Sequence, residues 1–499
     1  MNQSQQAPQS HFNLETTLSS SFKNLLFKGL LCQTTYYFMT IFVLQQELYI
    51  LTTYKGYSFI ENFVKIFPIM FLISYELPEF FEQYFANKKM ATYATGESVQ
   101  DINRQEFASH CIFVFLLLVI SAAQPAIFSA LQVDSEYRAM FLLSTVLGII
   151  GTFKSTVYSV FSLKQNYVYI MSGKMVTLMI HYFLFTFIYS FSTRNDGFNT
   201  WPSGFSKPVS EIVVHIVMLV VLYKKSIFST KIHLDADQSY KFNYIPKKKD
   251  WKEIGKNLLA FFQYVVFFVS RPVVYFFISF KINKLTNVTK KQNVILDLFV
   301  YLFCQQSLSL IAKGVHSAIM TTMPIVFHQK QYQKMRLIIS FGCLFSFILN
   351  EAVCAALVLN ADCIFIFFVN KVNNQILTDY YLSGNHTQIL KQTAFLFGSE
   401  VYQTALNTFA YISGRHYIPF VIGVLRIVGG VYFVINIDSA LGQNASYGDV
   451  FFYFELLCTV LAVVFCVQAF ISMFADYKSV KIEAVKEKKE RKTDEFMTQ

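Results

Sequence analysis

The sequence predicts an all-α, polytopic membrane protein with twelve transmembrane helices in two pseudo-symmetric six-helix bundles. Its 499 residues are 54% hydrophobic, and its mean hydropathy is +0.40. Only 15% of the residues are charged, whereas soluble domains carry about 25%. Apolar stretches long enough to cross a bilayer, about 20 residues each, recur along the chain. Short sequence matches between the two halves indicate an internal repeat.

The apolar stretches are interpreted as helices because they are long and show no alternation of period two. The twelve predicted segments cover residues 22–50, 58–86, 107–131, 139–163, 167–191, 208–228, 257–280, 294–327, 336–359, 389–413, 417–437 and 450–474. The stretch 361–372 is too short to span a bilayer and is interpreted as an ambiguous, interfacial turn.

The distribution of Lys and Arg predicts that both termini are cytosolic. The loop 224–256 alone holds nine basic residues. Three Asn-x-Ser/Thr sequons, the candidate glycosylation sites, begin at Asn287, Asn385 and Asn444. All three fall in loops that this topology places outside the cell or in a lumen. The net charge of +11 is therefore assigned to membrane orientation, and no nucleic-acid partner is expected.

The internal repeat divides the chain into two halves. NYVYIMSGKMVTLMIHYF (166–183) aligns with HYIPFVIGVLRIVGGVYF (416–433), so that Gly173 matches Gly423. An even number of helices in each half makes the repeats parallel, related by an axis along the membrane normal. The predicted organisation is a disordered cytosolic tail (1–21), a first half (22–228), a basic cytosolic linker (229–256), a second half (257–474) and a charged cytosolic tail (475–499).

Ionisable residues inside apolar segments are costly and usually face a cavity or a partner. Glu400 lies in the tenth segment, followed by about a dozen residues without charge and by the turn SGRHYIP. It is the first candidate for a coupling site, with an ion pair to Arg426 as the alternative. The remaining coupling or substrate-binding candidates are Glu76, Arg271, Lys174 and Lys313. Glu47 lies near a helix end and is assigned to the interface, and isolated histidines such as His181 are assigned to packing.

With these features the sequence resembles the multidrug and toxic compound extrusion (MATE) transporters, within the multidrug/oligosaccharidyl-lipid/polysaccharide flippase (MOP) superfamily. The resemblance rests on the twelve segments in two halves, and on the spacing of Glu400 from Gly414, Arg415 and His416. It also rests on the ends of helices two and eight, FFEQYFANKK (80–89) and MTTMPIVFHQKQYQKMR (320–336). In the seventh helix, where eukaryotic members commonly carry a glutamate, this chain has Arg271.

The resemblance implies an ion-coupled antiporter, driven by H⁺ or Na⁺, that exports organic solutes or xenobiotics by alternating access. The alternatives are a lipid or lipid-linked oligosaccharide flippase, favoured by the intramembrane basic residues, and a non-transporting membrane protein. We find no nucleophile elbow, P-loop or paired catalytic carboxylates, so neither enzyme activity nor ATP-driven transport is expected. No cofactor or metal site is expected, and the partners are the lipid bilayer and a small organic solute. The protein is expected to be a monomer in the plasma membrane, an endomembrane or a vacuole.

Glycosylation mapping tests the predicted topology. When the protein is produced in cells that glycosylate, sequons engineered into residues 229–256 should stay unmodified, because that loop is predicted to be cytosolic. Sequons engineered next to Asn287 and Asn385 should be accessible to the glycosylation machinery. Mobility shifts that disappear after glycosidase treatment report both results. Glycosylation of a sequon within 229–256 would contradict the predicted topology.

Overall fold

The computed structural model describes residues 14–95, 99–163, 167–192, 201–228, 245–328, 332–362, 375–398, 410, 413–436, 448–468 and 471–472. Within these ranges the secondary structure is helical and contains no strand. The helices are α1 (Leu14–Lys55), α2 (Tyr57–Phe71), α3 (Leu77–Thr95), α4 (Val99–Ala122), α5 (Gln124–Leu131), α6 (Arg138–Leu163), α7 (Tyr167–Ser192), α8 (Trp201–Phe228), α9 (Asp250–Asn283), α10 (Val288–His328), α11 (Tyr332–Leu359), α12 (Gln375–Ser383), α13 (Asn385–Thr393), α14 (Tyr417–Ile435) and α15 (Gly448–Gln468). A π-helical turn, Leu72–Glu76, joins α2 to α3.

Nine helices in the described ranges are long and apolar enough to cross a membrane. They correspond to nine of the predicted segments, while α1 and α8 are helical over the first and sixth. The tenth predicted segment begins within α13 and continues past residue 398, outside the described residues. Most of the stretch 361–372 also lies outside them. The predicted fold class, an all-α integral membrane protein that crosses the bilayer several times, is confirmed.

Several helices extend beyond the apolar segments that predicted them. α9 begins at Asp250 rather than at residue 257, and α10 begins at Val288 rather than at residue 294. The added turns contain polar residues. They can still be helical, because water in the headgroup region satisfies their exposed polar side chains. The hydropathy of a sequence marks the hydrocarbon core and therefore underestimates the length of each helix.

One helix, α10, forms the centre of the molecule. Its apolar stretch is 94% buried within the protein, whereas the other eight candidate spans range from 24% to 78%. α10 packs against α1, α3 and α11. Because α1 and α3 precede the linker and α10 follows it, the two predicted halves share one continuous apolar core.

The helix pair α9–α14 is held together at close range by small residues. A methyl group added at Gly423 on α14 would lie 2.7 Å from the Cα atom of Phe267 on α9, and one at Gly430 would lie 2.5 Å from a methyl of Val274. Just before α14, Gly414 has φ of +71°, which is the left-handed region that glycine adopts most easily. The predicted tight turn SGRHYIP is therefore confirmed at Gly414.

Substituting Gly423 with alanine tests this packing. We expect Gly423→Ala to lower the free energy of unfolding by about 1–3 kcal/mol, because the added methyl overlaps the backbone of α9. Gly255→Ala, on the exposed side of α9 with no atom within 4 Å of the new methyl, should be neutral or stabilising by up to about 1 kcal/mol, since alanine favours helix. Thermal unfolding of the purified protein in detergent measures both. Equal effects of the two substitutions would contradict the close contact.

Candidate functional site

A partly open cavity in the first half has a volume of about 70 Å³. This volume is smaller than that of sites that hold drug-sized ligands. Four elements form the walls: α1, α2 with the π turn, α6 and α8. The apolar lining residues are Leu44, Leu48, Leu51, Phe63, Phe67, Met70, Phe71, Met140, Leu143 and Leu147, and the polar ones are Glu47, Ser74, Tyr75, Ser144 and Lys207.

Two polar lining residues of this cavity, Glu47 and Lys207, belong to a cluster that also contains His181 and Ser206. Glu47 on α1 is 6% exposed, and one of its carboxylate oxygens is hydrogen-bonded to Nε2 of His181 on α7. The other oxygen lies 3.5 Å from Nζ of Lys207 on α8. Ser206 Oγ lies 2.9 Å from Nδ1 of the same imidazole. The cluster joins three helices of the first half in one buried hydrogen-bonded chain.

This arrangement can hold and exchange a proton. In the neutral imidazole, Ser206 donates to Nδ1, and the Nε2–H group donates to Glu47. Adding a proton to the pair turns the imidazole into a cation or the carboxylate into an acid, and either change alters the attraction between α1, α7 and α8. Within the described residues, no group of three His, Cys, Asp or Glu side chains is placed to hold a metal ion.

Sequence reasoning assigned Glu47 to the interface and His181 to hydrogen-bonded packing. The structure corrects the first assignment, because Glu47 is buried inside the protein, and it agrees with the second, because His181 is buried and hydrogen-bonded. Depth along a helix was the misleading criterion, because Glu47 lies only eight residues from the end of α1 at Lys55. The sequence does contain a signal. The apolar segments α1, α7 and α8 each carry an ionisable residue in the half of the helix that the predicted topology places near the outer surface.

A second polar group surrounds the acidic ladder Glu76, Glu79 and Glu82, which starts in the π turn and continues on α3. Lys313 on α10 lies 3.1 Å from Glu76 and 3.8 Å from Glu79. Lys174 on α7 lies 3.5 Å from Glu82. Side chains spaced three residues apart thus fasten the π turn and α3 to two other helices.

The π turn that begins this ladder ends two residues before Pro78. Proline lacks the N–H group that would bond to the carbonyl of residue 74 in an α-helix, so the sequence predicts a distortion here. A π turn accommodates one additional residue and is often found at functional sites. Gly151 on α6 lies against it, since a methyl added there would be 3.0 Å from Cβ of Pro78.

The second half contains a third charged group, in which Arg271 on α9 forms a bidentate ion pair with Glu455 on α15. The two nitrogen–oxygen distances are 2.9 and 3.2 Å. The Tyr301 hydroxyl of α10 donates a hydrogen bond to Glu455 and accepts one of 3.3 Å from Tyr275. The carboxylate is fully buried. Sequence reasoning found Arg271 but missed Glu455, although Glu455 is the only charged residue between residues 450 and 474.

Arg426 on α14 is separate from these three groups. It is 1% exposed, and its Nε and Nη2 atoms have no hydrogen-bond partner. Its expected partner Glu400 lies outside the described residues, so neither the coupling role of Glu400 nor its pairing with Arg426 is tested. Among the candidate glycosylation sites, Asn287 is exposed, Asn385 is partly exposed at the start of α13, and Asn444 lies outside the described residues.

The ends of the helices predicted to be cytosolic are tied together across the two halves. Arg104 on α4 donates a 2.9 Å hydrogen bond to Asp250 at the start of α9, and both side chains are almost fully buried. Lys88 on α3 donates a 2.8 Å hydrogen bond to Asn257 on α9. Burial and the neighbouring Lys88 lower the pKa of His416 to about 4, so His416 stays neutral at physiological pH.

Comparisons with known proteins identify the fold. No protein-family model matches the sequence, and no curated protein sequence matches it. Solved structures do match. An outward-facing multidrug resistance MATE family transporter of the MOP superfamily has a TM-score of 0.68 at 14% identity, over 91% of this chain and 98% of that chain. The chain has the fold of the MATE transporters.

Two further structures have the MATE-type fold. An inward-facing multidrug resistance MATE family transporter matches with a TM-score of 0.60 at 14% identity, over 89% of this chain and 96% of that chain. A MOP superfamily transporter from Pyrococcus furiosus matches with a TM-score of 0.67 at 13% identity, over 90% of this chain and 96% of that chain. That structure is described as having a binding pocket of reverse polarity, which suggests a different function. The MATE resemblance inferred from the sequence is confirmed at the level of the fold.

The ion pair between Arg271 and Glu455 gives a stability prediction. Glu455→Gln should lower the free energy of unfolding by about 3–5 kcal/mol, because it leaves the buried Arg271 without its countercharge. The double substitution Arg271→Met with Glu455→Gln should recover much of that loss, since it removes both charges together. Thermal unfolding in detergent, read as a double-mutant cycle, measures the coupling. Additive losses in the double variant would show that the two side chains are energetically independent.

Proposed function

We propose that this protein is a secondary active transporter that couples the entry of protons to the export of organic solutes by alternating access. The proposal is supported by the fold, which occurs in both outward-facing and inward-facing MATE transporters. The observation that carries it furthest is the Glu47–His181–Lys207 cluster on the wall of the apolar cavity.

The composition of this cluster favours a proton over a sodium ion. Sodium is a hard cation that binds oxygen ligands, and one imidazole and one ammonium group already occupy the carboxylate of Glu47. A cation at this carboxylate would meet repulsion from Lys207. A proton needs no such coordination shell, and it can bind to a carboxylate or an imidazole that is already hydrogen-bonded.

The lining of the cavity favours an apolar organic solute. Its walls carry leucine, methionine and phenylalanine side chains, among which Glu47, Tyr75 and Lys207 lie together. Such a lining gives affinity by burying apolar surface and tolerates ligands of different shapes. Export of organic solutes or xenobiotics therefore remains the leading substrate class.

Alternating access requires contacts between the halves that can open. The buried pair Arg104–Asp250 and the hydrogen bond Lys88–Asn257 join the two halves at the predicted cytosolic end. Opening towards the cytosol would break these contacts while the apolar core around α10 slides or rotates. The structure matches the outward-facing MATE transporter with the higher TM-score, 0.68 against 0.60 for the inward-facing one.

The flippase alternative was favoured by Arg271, Lys174 and Lys313. In the structure each of the three has a carboxylate partner within 4 Å: Glu455, Glu82 and Glu76, respectively. Their charges are therefore largely compensated inside the protein, and they do not by themselves make a strongly positive cavity. This weakens the argument for an anionic lipid substrate.

A transport experiment tests the proposal. The purified protein is reconstituted into liposomes of neutral and anionic phospholipid, and a pH gradient is imposed. We expect uptake of ethidium, a fluorescent organic cation, to depend on the gradient. Fluorescein, an organic anion, and a fluorescent phospholipid analogue serve as parallel probes. Scrambling of the phospholipid analogue without ethidium transport would favour the flippase, and no movement of any probe would favour a non-transporting protein.

The coupling role of Glu47 has its own prediction. In Glu47→Gln the side chain keeps its shape but cannot exchange a proton, so gradient-driven uptake should fall to background. Glu136→Gln provides the matched control, because that glutamate is exposed and pairs with Lys55 at the protein surface. The folded fraction of each variant is measured by size-exclusion chromatography and thermal unfolding. Full gradient-driven uptake by a folded Glu47→Gln protein would exclude Glu47 as the coupling residue while leaving transport itself intact.

A further inference from the structure

Among the described residues, one buried cation in the second half has no carboxylate partner. In the described ranges, the intramembrane cations Lys154, Lys174, Lys207, Arg271 and Lys313 each lie within 4 Å of a carboxylate. Arg426 forms no such pair. The residue is 1% exposed, and both Nε and Nη2 are buried without a hydrogen-bond partner.

The surroundings of Arg426 stabilise its charge only in part. Its guanidinium carbon lies over the ring of Phe267 on α9, 4.7 Å from the ring centroid. A cation–π contact of this kind offsets some of the cost of burying a charge. An aromatic ring, however, accepts no hydrogen bond in the plane of the guanidinium. The N–H groups of Nε and Nη2 are left unsatisfied, and buried donors without acceptors are unfavourable.

The two unsatisfied atoms define the shape of the missing partner. Nε and Nη2 lie on the same edge of the guanidinium, and their N–H groups point in the same direction as a fork. This edge matches the two oxygens of a carboxylate, which can accept both hydrogen bonds at once. A halide ion has no second atom to match the fork, and an ammonium or amide donor would be repelled by it.

The position of this fork is fixed by the helix pair that carries it. Arg426 lies on the face of α14 that also carries Gly423 and Gly430, three residues before it and four after it. Both glycines bring α14 into close contact with α9. Because the backbones are held at this distance, the position of the guanidinium relative to Phe267 is fixed. The donors are therefore preorganised, which reduces the entropy lost when a ligand binds.

We propose that the Nε–Nη2 edge of Arg426 is a binding site for a carboxylate group, placed in the second half of the protein and separate from the proton site around Glu47. The carboxylate belongs either to a small free acid or to a larger organic acid. Binding supplies the hydrogen-bond acceptors and the negative charge that the described residues do not provide at this position. The inference goes beyond the proposed function, because it requires only binding and does not depend on proton coupling.

The test measures thermal unfolding of the purified full-length protein in detergent, in sodium acetate or sodium chloride at the same ionic strength. Acetate should raise the unfolding midpoint relative to chloride, and the difference should grow with the logarithm of the acetate concentration. A general salt effect on stability is present in every variant. The decisive quantity is therefore the acetate–chloride difference of the wild type compared with that of Arg426→Gln, in which it should be lost.

Two further variants complete the design. Arg426→Lys keeps the charge and removes the fork, so we expect at least about a tenfold weaker response to acetate; this variant also serves if Arg426→Gln does not fold. Arg415→Gln, at the turn before α14, removes a positive charge elsewhere and should respond to acetate like the wild type. In chloride, Arg426→Gln should be as stable as the wild type or more stable, because an unpaired buried charge has been removed.

The source of the carboxylate is distinguished by a third salt, sodium benzoate. A benzoate response as strong as the acetate response would indicate a larger organic acid, and a response to acetate alone would indicate a small free acid. The proposal is overturned if the acetate–chloride difference of the wild type equals that of Arg426→Gln. It is also overturned if Arg426→Lys responds to acetate as strongly as the wild type.

Discussion

The structure depends on the need to neutralise charge inside a medium of low dielectric constant. A lysine, arginine or glutamate in an apolar helix loses the stabilisation that water provides, and the protein must replace it with a nearby opposite charge or with hydrogen bonds. Here that requirement links helices that are distant in sequence: α1 to α7 and α8 through Glu47, α3 to α10 through Lys313, and α9 to α15 through Arg271. Each charged residue is thus also a packing constraint, which fixes the rotation of its helix about its own axis.

The charged groups differ between the two halves. In the first half, α1 and α7 meet at a carboxylate and an imidazole. The predicted internal repeat equates α7 with α14, and α14 meets α9 at a guanidinium and an aromatic ring. Equivalent positions of the predicted repeat therefore carry a carboxylate–imidazole pair in one half and a guanidinium in the other, so that the halves are suited to different chemical tasks.

Hydropathy and charge predicted the fold because the bilayer imposes a single strong rule on the sequence: each crossing needs about 20 apolar residues. The same rule explains why the sites were predicted less well. Arg271, Lys174 and Lys313 were recognised as unusual because they are charged, but their partners were not, since a contact such as Arg271–Glu455 joins residues 184 positions apart. The irregular turn near Pro78 was predictable because proline acts through its own backbone. Glu47 was misplaced because its distance from the helix end says nothing about the helices that cover it.

The π turn at Leu72–Glu76 has a consequence for how the first half can move. An α-helix advances about 100° per residue, so conversion of the π turn to a regular α turn would rotate α3 by roughly that angle relative to α2. Glu76, Glu79 and Glu82 lie at or after the turn on one continuous helical segment. They would leave Lys313 and Lys174 in a single motion rather than one after another. The segment can be hydrogen-bonded in the π pattern or in the α pattern, and each pattern fixes one orientation of α3. Intermediate rotations of α3 would break these backbone hydrogen bonds and are therefore unfavourable.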